Sequence, residues 1–431
     1  MRAIKVFKFG GASVRDAAGF RNVADIIEKF SHEPLVIVVS AIGKTTNALE
    51  GVVRSYFKKE GQATTLLSKI KDDHAEIAVQ LFKHPGLILE ELHDLYVEIE
   101  WIIEEEPQES FDYYYDQIVS VGELLSSRIL NAYLQECGLE SFWLDVRDVI
   151  STDNTYRDAR IQWDLTQQKA TSRISPVLEA GRLVVTQGFI GSTSENFTTT
   201  LGREGSDYTA AVISYCLDAD SMHIWKDVPG VLTADPRKFA EVLKLPRLSY
   251  KEAIEMTYYG AKVIHPKTIK PIQNKNIPLF VRPFDDPESE GTMISDVLEL
   301  SYPPVIVIEP DQCLLHISTN DFSFVAEHHL SMIFHLLSTL RIKVNMMRNT
   351  AISFTVCVQD IAERIDQLVK ALGSEFNVVK DDQLELITIR HYNQDALDDL
   401  KRGKLVLFEE RLSDTVQIVV RSLPRIIRTD A

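Results

Sequence analysis

Apolar residues come in short, interrupted runs at the start of the chain. Ile4, Val6, Phe7 and Phe9 surround Lys5 and Lys8, Gly10 and Gly11 then break the run, and apolar positions recur at helical spacing over Ala17–Phe30. This pattern predicts a strand that turns sharply into an amphipathic helix. Leu35–Val39 is a β-branched run that stops at Ser40-Ala41-Ile42-Gly43, a second strand ending in a small-residue loop. A strand, a helix and a strand make a βαβ unit, so the strands run parallel and their carboxyl ends lie on one side. Ligands of open α/β sheets bind at that side, which lets Gly10, Gly11, Ser40 and Gly43 share a crevice.

Helical spacing continues over 47–103, broken near His84-Pro85-Gly86, and over 116–134, which reads as one long helix holding Gly122 and Glu123. A glycine inside a helix costs about 1 kcal/mol relative to alanine, so Gly122 points to a close neighbour. Glu123 beside it reads equally as an exposed carboxylate. Residues 142–144, 183–186 and 221–225 are strand-like, and 208–217 and 250–259 are helical. The stretch 285–292 is rich in acids and turn formers, and Ser301-Tyr302-Pro303-Pro304 follows, which sets a domain boundary at 300/301. Beyond it, strands at 313–317, 342–346, 352–358, 384–390, 405–409 and 416–420 alternate with helices at 326–340, 361–372 and 394–401. That order fits two small α+β modules in 301–431, the second abbreviated.

Composition narrows the function. The chain has 431 residues, 45% hydrophobic and 25% charged, enough for a large core and more than one domain. With 46 basic and 63 acidic side chains its formal charge is -17, which argues against a nucleic-acid partner. An anionic ligand would need a local cluster of Lys and Arg to overrule that balance. Cys137, Cys216, Cys313 and Cys357 are widely spaced and match no metal-ligand pattern, as expected of reduced thiols in a cytoplasmic protein. No apolar run approaches the roughly 18 residues of a membrane span, so neither export nor membrane insertion is expected.

The candidate chemistry starts at residues 5–14, K-V-F-K-F-G-G-A-S-V. Gly10 and Gly11 lack a Cβ, so their N–H groups can approach an anion closely, and Lys8 can follow a phosphate with its positive charge. The helix behind them offers its positive end. The same dipeptide equally fits a tight turn that needs small residues. Neither G-x-x-x-x-G-K-[ST] nor G-x-G-x-x-G is present here. A second anchor is T-T-L-G-R-E-G-S-D-Y-T-A-A at 199–211. There Ser206 or Asp207 would cap the next helix, Arg203 presents a fork suited to a carboxylate, and Asp207 can accept from an ammonium. Together they fit the two ends of an amino acid. Arg237 and Lys262 read either as phosphate contacts or as surface cations.

Five segments carry a resemblance. K-F-G-G-A-S-V at 8–14, V-G-E at 121–123, T-L-G-R-E-G-S-D-Y-T-A at 200–210, D-V-P-G-V-L-T-A-D-P-R at 227–237 and G-A-K-V-I-H-P at 260–266 closely resemble the aspartate kinases, in that family's order and separations. The resemblance implies a three-layer amino-acid-kinase fold with a mainly parallel sheet over 1–300, followed by two small ACT-like modules. It implies transfer of the γ-phosphoryl group of ATP, with Mg²⁺, to the side-chain carboxylate of L-aspartate, the first step toward lysine, threonine and methionine. It also implies assembly as a homodimer or higher oligomer and an amino-acid effector, lysine or threonine. Other readings are a kinase of another small amino acid, or a catalytically silent regulator of the same fold.

By the same resemblance Lys8, Gly10, Gly11 and Ser13 surround the transferring phosphate. Ser40, Thr45, Glu123, Arg203 and Asp207 hold aspartate, and Lys226, Asp227, Arg237 and Lys262 lie near the nucleotide. Asn345, Arg348, Asn349 and Thr350 are candidates for an effector pocket. No resident metal site and no fused dehydrogenase domain are expected. The chain departs from the family pattern at Ala12 in place of threonine, Glu204 in place of glycine, Lys226 in place of threonine and Leu232 in place of tyrosine. A carboxylate at 204 would repel an acidic substrate unless it turns outward or finds a cationic partner.

Overall fold

A computed structural model describes residues 3–261, 264–297, 301–321 and 323–423. The chain divides into two compact units. The first is Met1–Val231, Lys244–Ile254 and Val263–Leu300, and the second is Leu232–Leu243, Glu255–Lys262 and Ser301–Ala431.

The first unit opens with β1 (Lys5–Phe9), α1 (Ala17–Phe30) and β2 (Leu35–Val39). Three helices follow, α2 (Thr45–Phe57), α3 (Ala63–Leu81) and α4 (Gly86–Glu104), then α5 (Phe111–Val119) and α6 (Val121–Glu136). The helical stretch from 47 therefore breaks once more than its spacing suggested, at Gly61, whose φ is +71°. The expected long helix over 116–134 is two helices parted at Ser120, so Gly122 and Glu123 lie in the first turn of α6 rather than in a helix interior.

Next come β3 (Ser141–Leu144), α7 (Trp163–Glu179), β4 (Leu183–Gln187), a ribbon of β5 (Ile190–Ser192) and β6 (Thr198–Thr200), α8 (Gly205–Cys216) and β7 (Ser221–Lys226). Then follow β8 (Arg247–Ser249), α9 (Tyr250–Tyr258), α10 (Pro266–Asn274), β9 (Leu279–Pro283) and β10 (Thr292–Ser295). Sequence reading gave no strand at β5, β6, β8, β9 or β10, which are three to five residues long and too short for a period to declare itself. It also missed α10, which Pro266 starts at its first position.

The sheet order is β3-β4-β2-β1-β7-β9-β10-β8, parallel from β3 through β9, with β10 antiparallel to β9. The first strand of the chain thus lies inside the sheet, between β2 and β7. Alternation along it sets the layers. Phe7 and Phe9 join one core with Ile26, Leu49, Leu125 and Trp225 from helices α1, α2, α6 and strand β7. Val6 and Lys8 point to the other face, where α8 packs on β1 and β7.

In the second unit, β11 (Val305–Thr319), α11 (Glu327–Thr339), β12 (Val344–Asn349), β13 (Ser353–Gln359), α12 (Ala362–Leu372), β14 (Phe376–Arg390), α13 (Gln394–Lys401), β15 (Lys404–Arg411) and β16 (Thr415–Ser422) follow in order. They build one antiparallel sheet, β12-β13-β11-β14-β16-β15. β11 and β14 are 15 residues each and pair along nearly their whole length, with a register shift around Glu309 and Gln312 and a left-handed Asp311. Helices α11 and α12 cover one end of the sheet, around Ile317, Ile333 and Ile365, and α13 covers the other, around Ile389 and Leu397.

Candidate active site

The carboxyl ends of β1, β2, β4 and β7 run into Gly10, Ser40, Gly188 and Asp227. The first two loops interlock. Gly43 N–H donates to the Gly11 carbonyl at 3.0 Å, Ser40 N–H donates to the Phe9 carbonyl at 3.1 Å, and a Cβ on Gly11 would stand 2.8 Å from the carbonyl oxygens of both Ala41 and Gly43. Only a glycine admits that approach. The N–H groups of Gly10 and Gly11 have no acceptor among the described residues, so two adjacent donors remain for a ligand. The N terminus of α1 is already closed by Asp16, whose Oδ1 accepts from Gly19 N–H at 2.8 Å. Its dipole is therefore met by an internal carboxylate, and the expected contribution to an anion passes to the two glycines.

Lys8 turns toward α8 and pairs with Asp207, Nζ to Oδ1 2.6 Å, while its ammonium lies 3.4 Å from where a Gly10 Cβ would sit. Lys226 approaches the other oxygen of Asp207 at 3.9 Å. Burial pushes the Asp207 carboxyl up, but Lys8 and then Lys226 overrule it, and the net shift is below the ordinary carboxylate range. Asp207 lies in the first turn of α8, where the helix end adds to the stabilisation of a carboxylate. Neither Ser206 nor Asp207 caps that helix as expected. The cap position is Glu204, with a left-handed φ of +53° and no capping bond from its side chain.

Glu123 is buried on the other side of the β2 loop. Its Oε1 accepts weakly from Ala41 N–H at 3.4 Å, and its Oε2 has no hydrogen-bond partner. Burial pushes this carboxyl up to about 8, with Ala41 and Lys8 pulling against it. Gly122 lets α6 approach closely, since a Cβ there would sit 3.1 to 3.3 Å from Ala41, Leu49 and Thr45. Thr45 and Ser13 are buried nearby, and Ser13 N–H donates to the Gly10 carbonyl. Two lysines thus converge on Asp207, while burial disfavours a charge on the neighbouring Glu123. This is the local positive excess that an anionic ligand requires in an acidic protein.

Other expected residues make no ion pair with this cluster among the described residues. Arg203 is exposed on the turn before α8 and makes no ion pair with a described residue. Asp227 is exposed just after β7. Arg237 belongs to the second unit, where it grips Asp235 at 2.8 Å. Lys262 lies outside the described residues. In the second unit Arg348 stacks over Phe408 at 4.1 Å and donates to the Glu409 carbonyl, Asn345 donates to Gln312 at 2.8 Å, and Thr350 bonds to Ser353. Among the described residues no group of three or more His, Cys, Asp or Glu could hold a metal ion, and no helix is long and apolar enough to cross a membrane.

Sequence reasoning missed Asp116 and Lys267. Asp116 is fully buried and accepts from Thr200 Oγ1 at 2.7 Å, Thr200 N–H at 2.8 Å and Arg157 N–H at 3.0 Å, tying β6 to α5. Burial raises its carboxyl to about 6 against those bonds. An acid at a position shared with apolar helix neighbours was the available signal. The Glu204 side chain, expected either to turn outward or to find a cation, lies exposed and accepts from the His265 backbone N–H at 3.1 Å.

Residues 3–283 match the amino acid kinase family. The lysine-sensitive aspartokinase 3 of Escherichia coli is 33% identical over 360 residues, 82% of this chain and 78% of that one. A chloroplastic bifunctional aspartokinase/homoserine dehydrogenase 2 of Arabidopsis thaliana is 34% identical over 69% of this chain and 33% of its own length. Among solved structures, E. coli aspartokinase III in complex with lysine and aspartate (T-state) superposes with a TM-score of 0.83, at 27% identity over 97% of this chain and 96% of that one. The same enzyme in complex with aspartate and ADP (R-state) gives 0.81 at 27% identity, with the same coverage.

Proposed function

This chain belongs to the amino acid kinase family and, within it, to the aspartate kinases, and from that premise we propose that it phosphorylates the side-chain carboxylate of L-aspartate with ATP, giving 4-phospho-L-aspartate. The observation that carries the reading is the Lys8–Asp207–Lys226 cluster set beside the open N–H groups of Gly10 and Gly11.

The nucleophile comes with the substrate, since a carboxylate needs no base. A carboxylate oxygen forms the new bond to the γ-phosphorus, the bond to the β,γ-bridging oxygen breaks, and ADP leaves with the electron pair. The protein brings two anions together and meets the charge on the phosphoryl group in flight. Lys8 and the two glycine amides do so, and Asp207 holds Lys8 against Gly10 before substrate arrives. A magnesium ion bound together with the nucleotide would supply further neutralisation of the phosphate charge.

Arg203 takes the substrate α-carboxylate. The ammonium, first expected at Asp207, is better matched to Glu123, because the Asp207 oxygens are already ion-paired, to Lys8 at 2.6 Å and to Lys226 at 3.9 Å, whereas Glu123 Oε2 has no partner among the described residues. An arriving ammonium favours the ionised form of Glu123, whose proton leaves to water. By analogy with the lysine-bound relative, the chain takes an amino-acid effector, for which Asn345, Arg348, Asn349 and Thr350 of the second unit are the candidates, with lysine or threonine as the ligand.

The test is a hydroxamate assay with MgATP and aspartate, glutamate or no amino acid. Signal with aspartate alone is expected, and equal signal with glutamate would assign another substrate.

Glu123 supplies a pH test. The folded carboxyl keeps its proton to about 8, against 4.5 for the unfolded chain. The native state thus binds the extra proton between these values, and stability falls as pH rises across that window, by up to a few kcal/mol. Glu123→Gln stays neutral, so urea denaturation should find it no more stable than the parent near pH 4.5 and clearly more stable at pH 8. Its affinity for aspartate should drop about tenfold to a hundredfold. Parallel stability curves for the two proteins would refute the assignment.

A further inference from the structure

Between β6 and α8 the turn runs Leu201-Gly202-Arg203-Glu204-Gly205, buried at both ends and exposed at Arg203 and Glu204, the part that ordinarily drifts. It is fastened on both sides of Arg203. Ahead of it, the Leu201 carbonyl accepts from Lys267 Nζ at 2.9 Å. The same ammonium donates to Asp158 Oδ1 at 2.7 Å and lies 4.9 Å from the centre of the Tyr208 ring. Behind it, Glu204 Oε2 accepts from His265 N–H at 3.1 Å. Both tethers end on one anchor, because His265 caps α10 and its Nδ1 accepts from Lys267 N–H at 3.2 Å.

Glu204 has a cost that a glycine would avoid. A φ of +53° in a residue with a Cβ is unfavourable by about 1 kcal/mol. Its side chain supplies the bond to His265 in return, and the carboxylate is drawn toward a backbone N–H.

We propose that Lys267 and Glu204 are positioning residues for Arg203, a two-point clasp that presents its guanidinium to the α-carboxylate of the substrate. This rests on the aspartate kinase reading and adds to it two residues that never touch the reacting atoms. A fork recognises a carboxylate only in a fixed plane, and an untethered turn must be ordered by the substrate itself. That cost falls on binding in the ground state and transition state alike, so it raises KM and leaves kcat alone.

The experiment measures aspartate KM and kcat at saturating MgATP for the full-length parent, Lys267→Ala, Glu204→Ala, Glu204→Gln, Arg203→Ala and the Arg203→Ala/Lys267→Ala double variant. Lys267→Ala should raise aspartate KM about tenfold, with kcat within about twofold and ATP KM unchanged. Glu204→Ala should raise it about fivefold, and Glu204→Gln should restore the parent value, since its amide oxygen can accept the same N–H. The double variant should be no worse than Arg203→Ala, because the lysine acts through the arginine. Additive losses in the double variant, a Glu204→Gln enzyme that behaves like Glu204→Ala, or an unchanged KM in both alanine variants would each overturn the clasp. Should Lys267→Ala fail to fold, the Glu204 pair and a Glu204→Ala/Arg203→Ala cycle decide alone. A parent enzyme inactive on aspartate sinks the underlying function instead, a result distinct from all of these.

Discussion

Lys8→Ala should lose about 10²- to 10³-fold in turnover while aspartate still binds. The scale is that of removing one preorganised donor from the charge that develops in a transition state. The lysine is the cation held closest to the open amides of the glycine turn, and its distance to Asp207, 2.6 Å, fixes where its ammonium waits. The substitution also has a structural price. Asp207 is buried, and without Lys8 its nearest remaining cation is Lys226 at 3.9 Å. Breaking a buried pair from one side costs about 3 kcal/mol or more, because the remaining charge is poorly compensated. The Asp207 carboxyl, held low mainly against burial by Lys8, would move up, so the stability lost should be greatest at neutral pH and shrink in acid. Single-turnover kinetics, aspartate calorimetry and urea denaturation at two pH values separate the parts. Turnover within tenfold of the parent would remove Lys8 from the chemistry.

Gly11→Ala should be nearly as damaging through geometry alone. Its Cβ would stand 2.8 Å from two backbone oxygens, those of Ala41 and Gly43, and neither is the tip of a flexible side chain. The loop after β2 must retreat, carrying with it the Ala41 N–H that meets Glu123 and the Thr45 that packs on Gly122. We expect a loss of about 2–3 kcal/mol in stability and of about a hundredfold in kcat/KM, since displacements of this order misalign reacting groups. Gly10→Ala is the control. Its Cβ would meet only Lys8 Nζ, at 3.4 Å, an ordinary contact with the end of a side chain rather than with backbone. Equal damage from the two alanines would mean that the loop contact is not what matters.

How much of this was legible in the sequence depended on length and on chemistry. The strand, turn and helix over residues 5–30 could be read because a βαβ start combines a period, a glycine break and a second period. The parallel course of β1 and β2 followed from it. The helix pair α5 and α6 was read as one because both helices share an apolar spacing, only Ser120 separates them, and Gly122 was read as a helix-interior glycine rather than as the sign of a break. The ribbon of β5 and β6 has three residues a side, too few for alternation to emerge. Within the site, the residue types at Lys8, Asp207 and Glu123 were evident, but their states were not. Whether Asp207 faces a cation or an ammonium depends on which face of β1 carries Lys8, and whether Glu123 is charged depends on burial that only packing decides. Lys267 escaped notice because its partners, Asp158 and the Leu201 carbonyl, are 109 and 66 residues away in the chain.

The two 15-residue strands at the centre of the second unit have an implication for how such a sensor could be rebuilt. Each of β11 and β14 serves one end of the sheet with its first half and the other end with its second, in opposite directions. No single cut in the chain releases one end intact. A chimera that exchanges one sensory half for another must transplant two distant segments together, and the left-handed joint at Asp311 is the natural seam at which to splice the first of them.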